Sequence, residues 1–216
     1  VAAAGRVATA TITVVQVTAG TAALETTGIA QDGSQRLYLA VSADHTIRST
    51  LDLAQTPAIY AGVSETAGFQ NGGRSQALFR NPTFLAAEVD GTLYVSDSGN
   101  HVIRRITASG QVETLAGTAG TPGSLDGTLA SATFNNPQGL ALDNQRNLWV
   151  VDSGNHTIRR INLVSGSVET VAGLAGNSGS ADGTGASARF NAPLGIAVEP
   201  QTQAAQLDLF QKGAPL

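Results

Sequence analysis

Two ten-residue segments carry the residue types best suited to chemistry. DSGNHVIRRI occupies positions 97–106 and DSGNHTIRRI positions 152–161, and nine of the ten residues agree. Asp and His together are the material of metal sites and acid–base pairs. Paired arginines (Arg104 with Arg105, Arg159 with Arg160) are the material of phosphate clamps. DSGN resembles the start of a calcium loop. Each reading meets a geometric objection. A zinc ion needs imidazole nitrogens at roughly 2.0–2.1 Å, whereas residues repeated in packed neighbouring sheets stand about 10 Å apart. An EF-hand needs oxygen ligands at alternate positions and a distal Glu, and Asp97, Gly99 and His101 do not supply that series. The spacing therefore assigns Asp97, Asn100, His101, Arg104, Asp152, Asn155, His156 and Arg159, with His45, to structure. No catalytic, cofactor or metal residue is expected, with a weak calcium ion at the DSGN turns as the one cofactor alternative.

The elements that position these residues recur at a fixed period. His45, His101 and His156 are 56 and 55 residues apart, and Phe79, Phe134 and Phe190 keep the same spacing within one residue. Such periodicity is the mark of a repeat architecture. One unit reads as four short strands: LALD (140–143), NLWVVD (147–152), HTIRRINL (156–163) and GSVETVAG (166–173). β-Branched and aromatic residues dominate the second, and the Gly and Asn of SGN are expected to make the tight turn after it. Four-stranded units of this length describe an all-β propeller of antiparallel blades. The divisions are 1–27 as the outer strand of an earlier blade, 28–84 as a divergent first blade, 85–139 and 140–195 as full blades, and 196–216 as a partial blade or tail. That is about three blades of an incomplete ring.

These units resemble NHL repeats, whose third strand opens with an Asn-His pair. Here the pair is Asn100-His101 and Asn155-His156, with Asp44-His45 in the divergent copy, where Val41 replaces the motif Asp and Ser49 the second Arg. The long period and Gly-rich insert resemble those of secreted bacterial proteins, which implies an extracytoplasmic location. NHL-type propellers commonly close at six blades, so the resemblance implies that something covers the open flanks: another copy, another chain, or further parts of the precursor.

Composition excludes some functions. Net charge is −4 with a single lysine, Lys212, which argues against nucleic acid. Without cysteine there is no disulfide, thiolate metal site or cysteine nucleophile. The longest apolar run near the start, VATATITVVQV, is too short to insert into a bilayer. The start at Val1 and the lack of methionine point to a piece processed from a longer precursor. The inserts 117–133 and 173–189 are Gly-rich without the phosphate-loop pattern. They are expected to be surface loops on the same face as the DSGN turns, with Ser124, Asp126, Ser180 and Asp182 as candidate partner contacts. The expected function is a non-catalytic interaction or structural module. The alternatives are a propeller enzyme of lyase or metal-dependent hydrolase type, which would need further blades because Glu88, Asp90, Asp143 and Glu199 sit toward the strand ends where they converge poorly, or a subunit of an extracellular polymer or filament.

Overall fold

Each second strand is apolar on both faces, so each sheet must be covered on both sides. The computed structural model, which describes residues 25–198 and the strand Leu207–Gln211, achieves this by stacking sheets face to face. The first blade has β1 (Gly28–Gln31), β2 (Leu37–Val41), β3 (Thr46–Thr50) and β4 (Ala58–Ala61), in the order β1-β2-β3-β4. A two-residue strand, β5 (Gly72–Gly73), precedes the second blade: β6 (Pro82–Ala87), β7 (Leu93–Asp97), β8 (Val102–Ile106) and β9 (Gln111–Ala116). The third blade repeats this with β10 (Gly127–Thr128), β11 (Pro137–Leu142), β12 (Asn147–Asp152), β13 (Thr157–Asn162) and β14 (Ser167–Gly173). A final pair, β15 (Pro193–Val198) and β16 (Leu207–Gln211), begins a further blade. Pairing of successive strands is antiparallel throughout.

Three findings refine the sequence reading. The inner strands start at Pro82, Pro137 and Pro193, three residues before the boundaries drawn at 85, 140 and 196. The second and third blades have five strands rather than four, in the orders β5-β9-β8-β7-β6 and β10-β14-β13-β12-β11. The fifth strand comes from the insert, which therefore does not stay on the turn face but crosses the outer edge of the blade that follows it. Residues 1–24, which hold most of the proposed N-terminal strand, lie outside the described residues, as does Glu199.

The core lies between blades. Tyr38, Ile47 and Ala61 of the first blade meet Leu85, Val95 and Ile106 of the second around Phe79. Tyr94, Ile103 and Leu115 of the second meet Leu140, Val150 and Ile161 of the third around Phe134. Trp149 and Ile158 pack with Phe190, with Ile196 and Val198 against them. Every residue of β7 and of β12 is buried, because a neighbouring blade covers each face. This explains why the second strands read as continuous apolar runs rather than alternating ones.

Candidate functional site

The repeated motif is where the chemistry-bearing side chains collect. Each SGN segment (Ser98–Asn100, Ser153–Asn155) is a single 3-10 turn, and the left-handed residue that ends it is the histidine, with φ of 60° at His101 and 59° at His156. The glycine is needed for another reason than the one expected. Gly154 N–H donates to the Asn135 carbonyl at 2.9 Å, and a Cβ at 154 would stand 2.7 Å from that same oxygen. Gly154→Ala is expected to lower the unfolding free energy by about 1–3 kcal/mol, since the intruding methyl must push backbone aside. Chemical denaturation followed by Trp149 fluorescence reads the loss.

Asp152 and Arg159 are 0% exposed. The Asp152 Oδ1 accepts the Asn135 N–H at 2.7 Å, and Oδ2 accepts Asn155 Nδ2 at 2.7 Å and Arg159 Nη1 at 3.0 Å. The same guanidinium donates to the carbonyls of Thr133 and Leu125 and to Asp126 Oδ1 at 2.8 Å. It also lies over the Phe134 ring, 5.0 Å from its centroid. The second blade repeats the arrangement with Asp97, Asn100 and Arg104, the insert supplying the carbonyls of Gln70 and Leu78 and the side chain of Asn71. Burial pushes both carboxyls up, Asp152 to about 6, against the pull of these donors. The motif thus locks the insert onto the blade it precedes.

The divergent first blade keeps the ion pair by moving the acid. Val41 stands in the Asp position, and Asp44, in the Asn position, takes Arg48 Nη2 at 2.8 Å. Burial opposes its charge, but hydrogen bonds from Ser64, Arg48 and Thr46 prevail and hold Asp44 at about 2.

The histidines link blades rather than strands within a blade. Nδ1 of His45, His101 and His156 accepts the N–H of Asn81, Asn136 and Ala192 at 3.2, 3.0 and 3.0 Å. Each acceptor belongs to one blade, and each donor stands just before the inner strand of the next. Only an imidazole with an unprotonated Nδ1 can accept this bond. Burial also pushes the His101 pKa down. The contribution is therefore fully present above the ordinary value near 6.5 and is lost as the pH falls through the depressed folded value. Wild type is expected to exceed His101→Asn by about 1 kcal/mol at pH 8, with the gap closing as the pH falls through the depressed folded value. Taking the difference between the two proteins removes Asp152, whose raised pKa acts in the opposite sense.

The arginine pairs divide cleanly. Arg104 and Arg159 are interior, while Arg105 and Arg160 are partly solvated and pair across strands with Glu113 and Glu169. Of the inner-strand carboxylates, Glu88 receives the Tyr94 hydroxyl and Arg146, joining the second and third blades. Asp143 accepts Asn147 and Trp149 Nε1, and Asp90 accepts the Thr92 N–H. Among the described residues no cluster of three or more His, Asp or Glu is placed to hold a metal ion. Ser124, Ser180, Asp126 and Asp182 are all exposed. Asp126 is nonetheless tied to Arg159 and to Thr170, an engagement that sequence spacing did not reveal. A cleft of about 790 Å³ runs along the rim between the first two blades, lined by Tyr60, Ser64, Arg74 and Ser109 among others, with Arg74 stacked 4.4 Å over the Tyr60 ring. No helix of the described residues is long and apolar enough to cross a membrane.

The comparisons agree with this architecture. A model of the NHL repeat matches residues 134–161, which hold Phe134 and the whole DSGNHTIRRI motif. Human NHL repeat-containing protein 2 is 39% identical over 87 residues, 40% of this chain and 12% of its own length. This chain therefore spans about an eighth of that relative. A structural genomics protein of unknown function from Bacteroides thetaiotaomicron aligns over 81% of this chain and 42% of its own, with TM-score 0.66 and 25% identity. A gluconolactonase from Xanthomonas campestris aligns with TM-score 0.58 over 88% of this chain and 57% of its own, at 16% identity, a likeness of fold alone. Residues 134–161 are thus similar to an NHL repeat, and the chain folds as consecutive blades of a β-propeller.

Proposed function

We propose that this chain is a non-catalytic interaction and structural module of an extracytoplasmic protein, presenting blade edges and its turn face to protein partners. One observation carries the reading. The Asp, Asn, His and Arg side chains that promised chemistry are engaged in holding blades and inserts together. Repeat scaffolds of this kind work through the surfaces they extend. The partner is another copy or another chain that continues the ring. In support, Ile29 of the leading blade is 59% exposed, and the Bacteroides structure has well over half its length outside the aligned part. Net charge of −4 disfavours nucleic acid, and the secreted location follows the long repeat period. Size-exclusion chromatography with light scattering over a concentration range tests the proposal. A discrete dimer, or a defined complex with a second chain, is the expected result. A monomer at every concentration, with Ile29 and its strand fully protected from hydrogen exchange, would overturn it.

A further inference from the structure

The second and third blades differ in the charge of one group that their buried arginines touch. Arg159 Nη2 donates to the carboxylate of Asp126 at 2.8 Å, and Thr170 Oγ1 donates to the same oxygen at 3.0 Å. Arg104 Nη2 donates to the amide oxygen of Asn71 at 2.9 Å, and Thr114 Oγ1 reaches it at 3.4 Å. The two sites otherwise share their backbone. Glycine follows in both, with φ of 135° at Gly72 and 146° at Gly127, and both glycines open the short edge strand of their blade. Asp182-Gly183 holds the same place in the next insert. Asn71 is thus the amide of a carboxylate that the other two copies carry.

The surroundings of Asn71 favour its conversion. It is the only asparagine of the chain that precedes glycine, the residue that least obstructs attack by its own backbone nitrogen on the preceding side chain. Its side chain is exposed, and Nδ2 makes no hydrogen bond among the described residues. The space beside Gly72 is open, since the nearest atom to a Cβ placed there is Gln76 Oε1 at 3.8 Å. β5 is two residues long and lies at the sheet edge, where local opening releases the Gly72 nitrogen at small cost. The guanidinium on Oδ1 draws electron density from Cγ and favours a developing negative charge.

We infer that Asn71 is a site of spontaneous deamidation, and that the aspartate formed completes on Arg104 the ion pair that Asp126 makes with Arg159. The Gly72 nitrogen bonds to Asn71 Cγ, the Cγ–Nδ2 bond breaks, and the Gly72 amide proton leaves with Nδ2 as ammonia. Water then opens the cyclic imide at Cγ. Its hydroxyl completes the carboxyl group and its other proton returns to the Gly72 nitrogen. Opening at the main-chain carbonyl would instead give isoaspartate, with an added methylene in the backbone just before β5. That product would disturb the Gly72↔Val112 pairing, so the folded chain favours aspartate.

The test is to age the full chain at mildly alkaline pH and body temperature, digest it with trypsin, and follow peptide 49–74 by mass spectrometry. A one-dalton gain at Asn71 is expected, mainly as aspartate, while peptides holding the other asparagines stay unchanged. The free peptide 49–74, aged in parallel, should give a larger share of isoaspartate. Conversion in the free peptide alone, or isoaspartate as the main product in the folded chain, would overturn the inference. Asn71→Asp, made directly, should raise the urea midpoint above wild type, by a margin that shrinks in high salt. An equal or lower midpoint would show that Arg104 does not receive the carboxylate.

Discussion

Asp152→Ala is expected to lower the free energy of unfolding by about 3–5 kcal/mol, because it strands a fully buried charge. Three donors lose the carboxylate at once: the Asn135 N–H, Asn155 Nδ2 and Arg159 Nη1. Asp126 cannot compensate, since it sits half-exposed at the other end of the guanidinium and already binds it. The double variant Asp152→Ala with Arg159→Met should recover much of the loss, because removing both charges costs far less than removing one. The divergent first blade shows the same logic in nature. Where Val41 has no carboxylate to offer, Asp44 supplies one to Arg48. Urea unfolding followed by Trp149, the single tryptophan, measures both variants. A loss below about 1 kcal/mol, typical of an exposed pair, would show that the interior pair is not what fixes the insert.

Phe134→Ala should be comparably severe, also about 3–5 kcal/mol, from lost transfer energy and the cavity left behind. The ring reaches from its insert into the seam between the second and third blades, among Ile103, Leu115, Leu140 and Val150. It is also the floor under Arg159, so its loss removes a stacking surface from the guanidinium. Phe190→Ala should cost less, since that ring is 8% exposed against 0% for Phe134 and no arginine of the described residues lies over it. Parallel denaturation of the two variants gives the ranking. Equal losses would mean that the two rings are equally well packed, against the burial seen. Domain stabilities are about 5–15 kcal/mol in total, so Phe134→Ala should bring the chain close to unfolding at body temperature.

The blade pattern was legible because it is written in residue types. Runs such as LYVSD and NLWVVD specify buried strands, and a repeated Asp, His and Arg at a fixed period specifies architecture rather than a unique site. What was not legible depends on partners without a side-chain signature. The histidines accept backbone N–H groups of the next blade, and any residue but proline supplies such a group. The fifth strands are Gly72–Gly73 and Gly127–Thr128, two-residue pairs in which glycine carries little strand preference, in inserts that Arg104 and Arg159 anchor. The role of Asp126 was hidden similarly. It lies 33 residues before the arginine that it binds, across the connection between two blades.

The ownership of the inserts changes where this protein can be cut and rejoined. By sequence, residues 62–81 trail the first blade, yet they are bolted to the second by Arg104 and Asp97. The natural cassette therefore runs from one left-handed glycine to the next, Gly62 to Gly117 to Gly173, with φ of 98°, 101° and 91°. Grafts, deletions or duplications joined at these glycines would carry each arginine together with its own insert. Joints placed at the inner-strand prolines would separate the two, orphaning a cation on one side of the junction and exposing a phenylalanine on the other. Expansion of such an array in the glycine-to-glycine frame would keep each arginine with the insert it already binds.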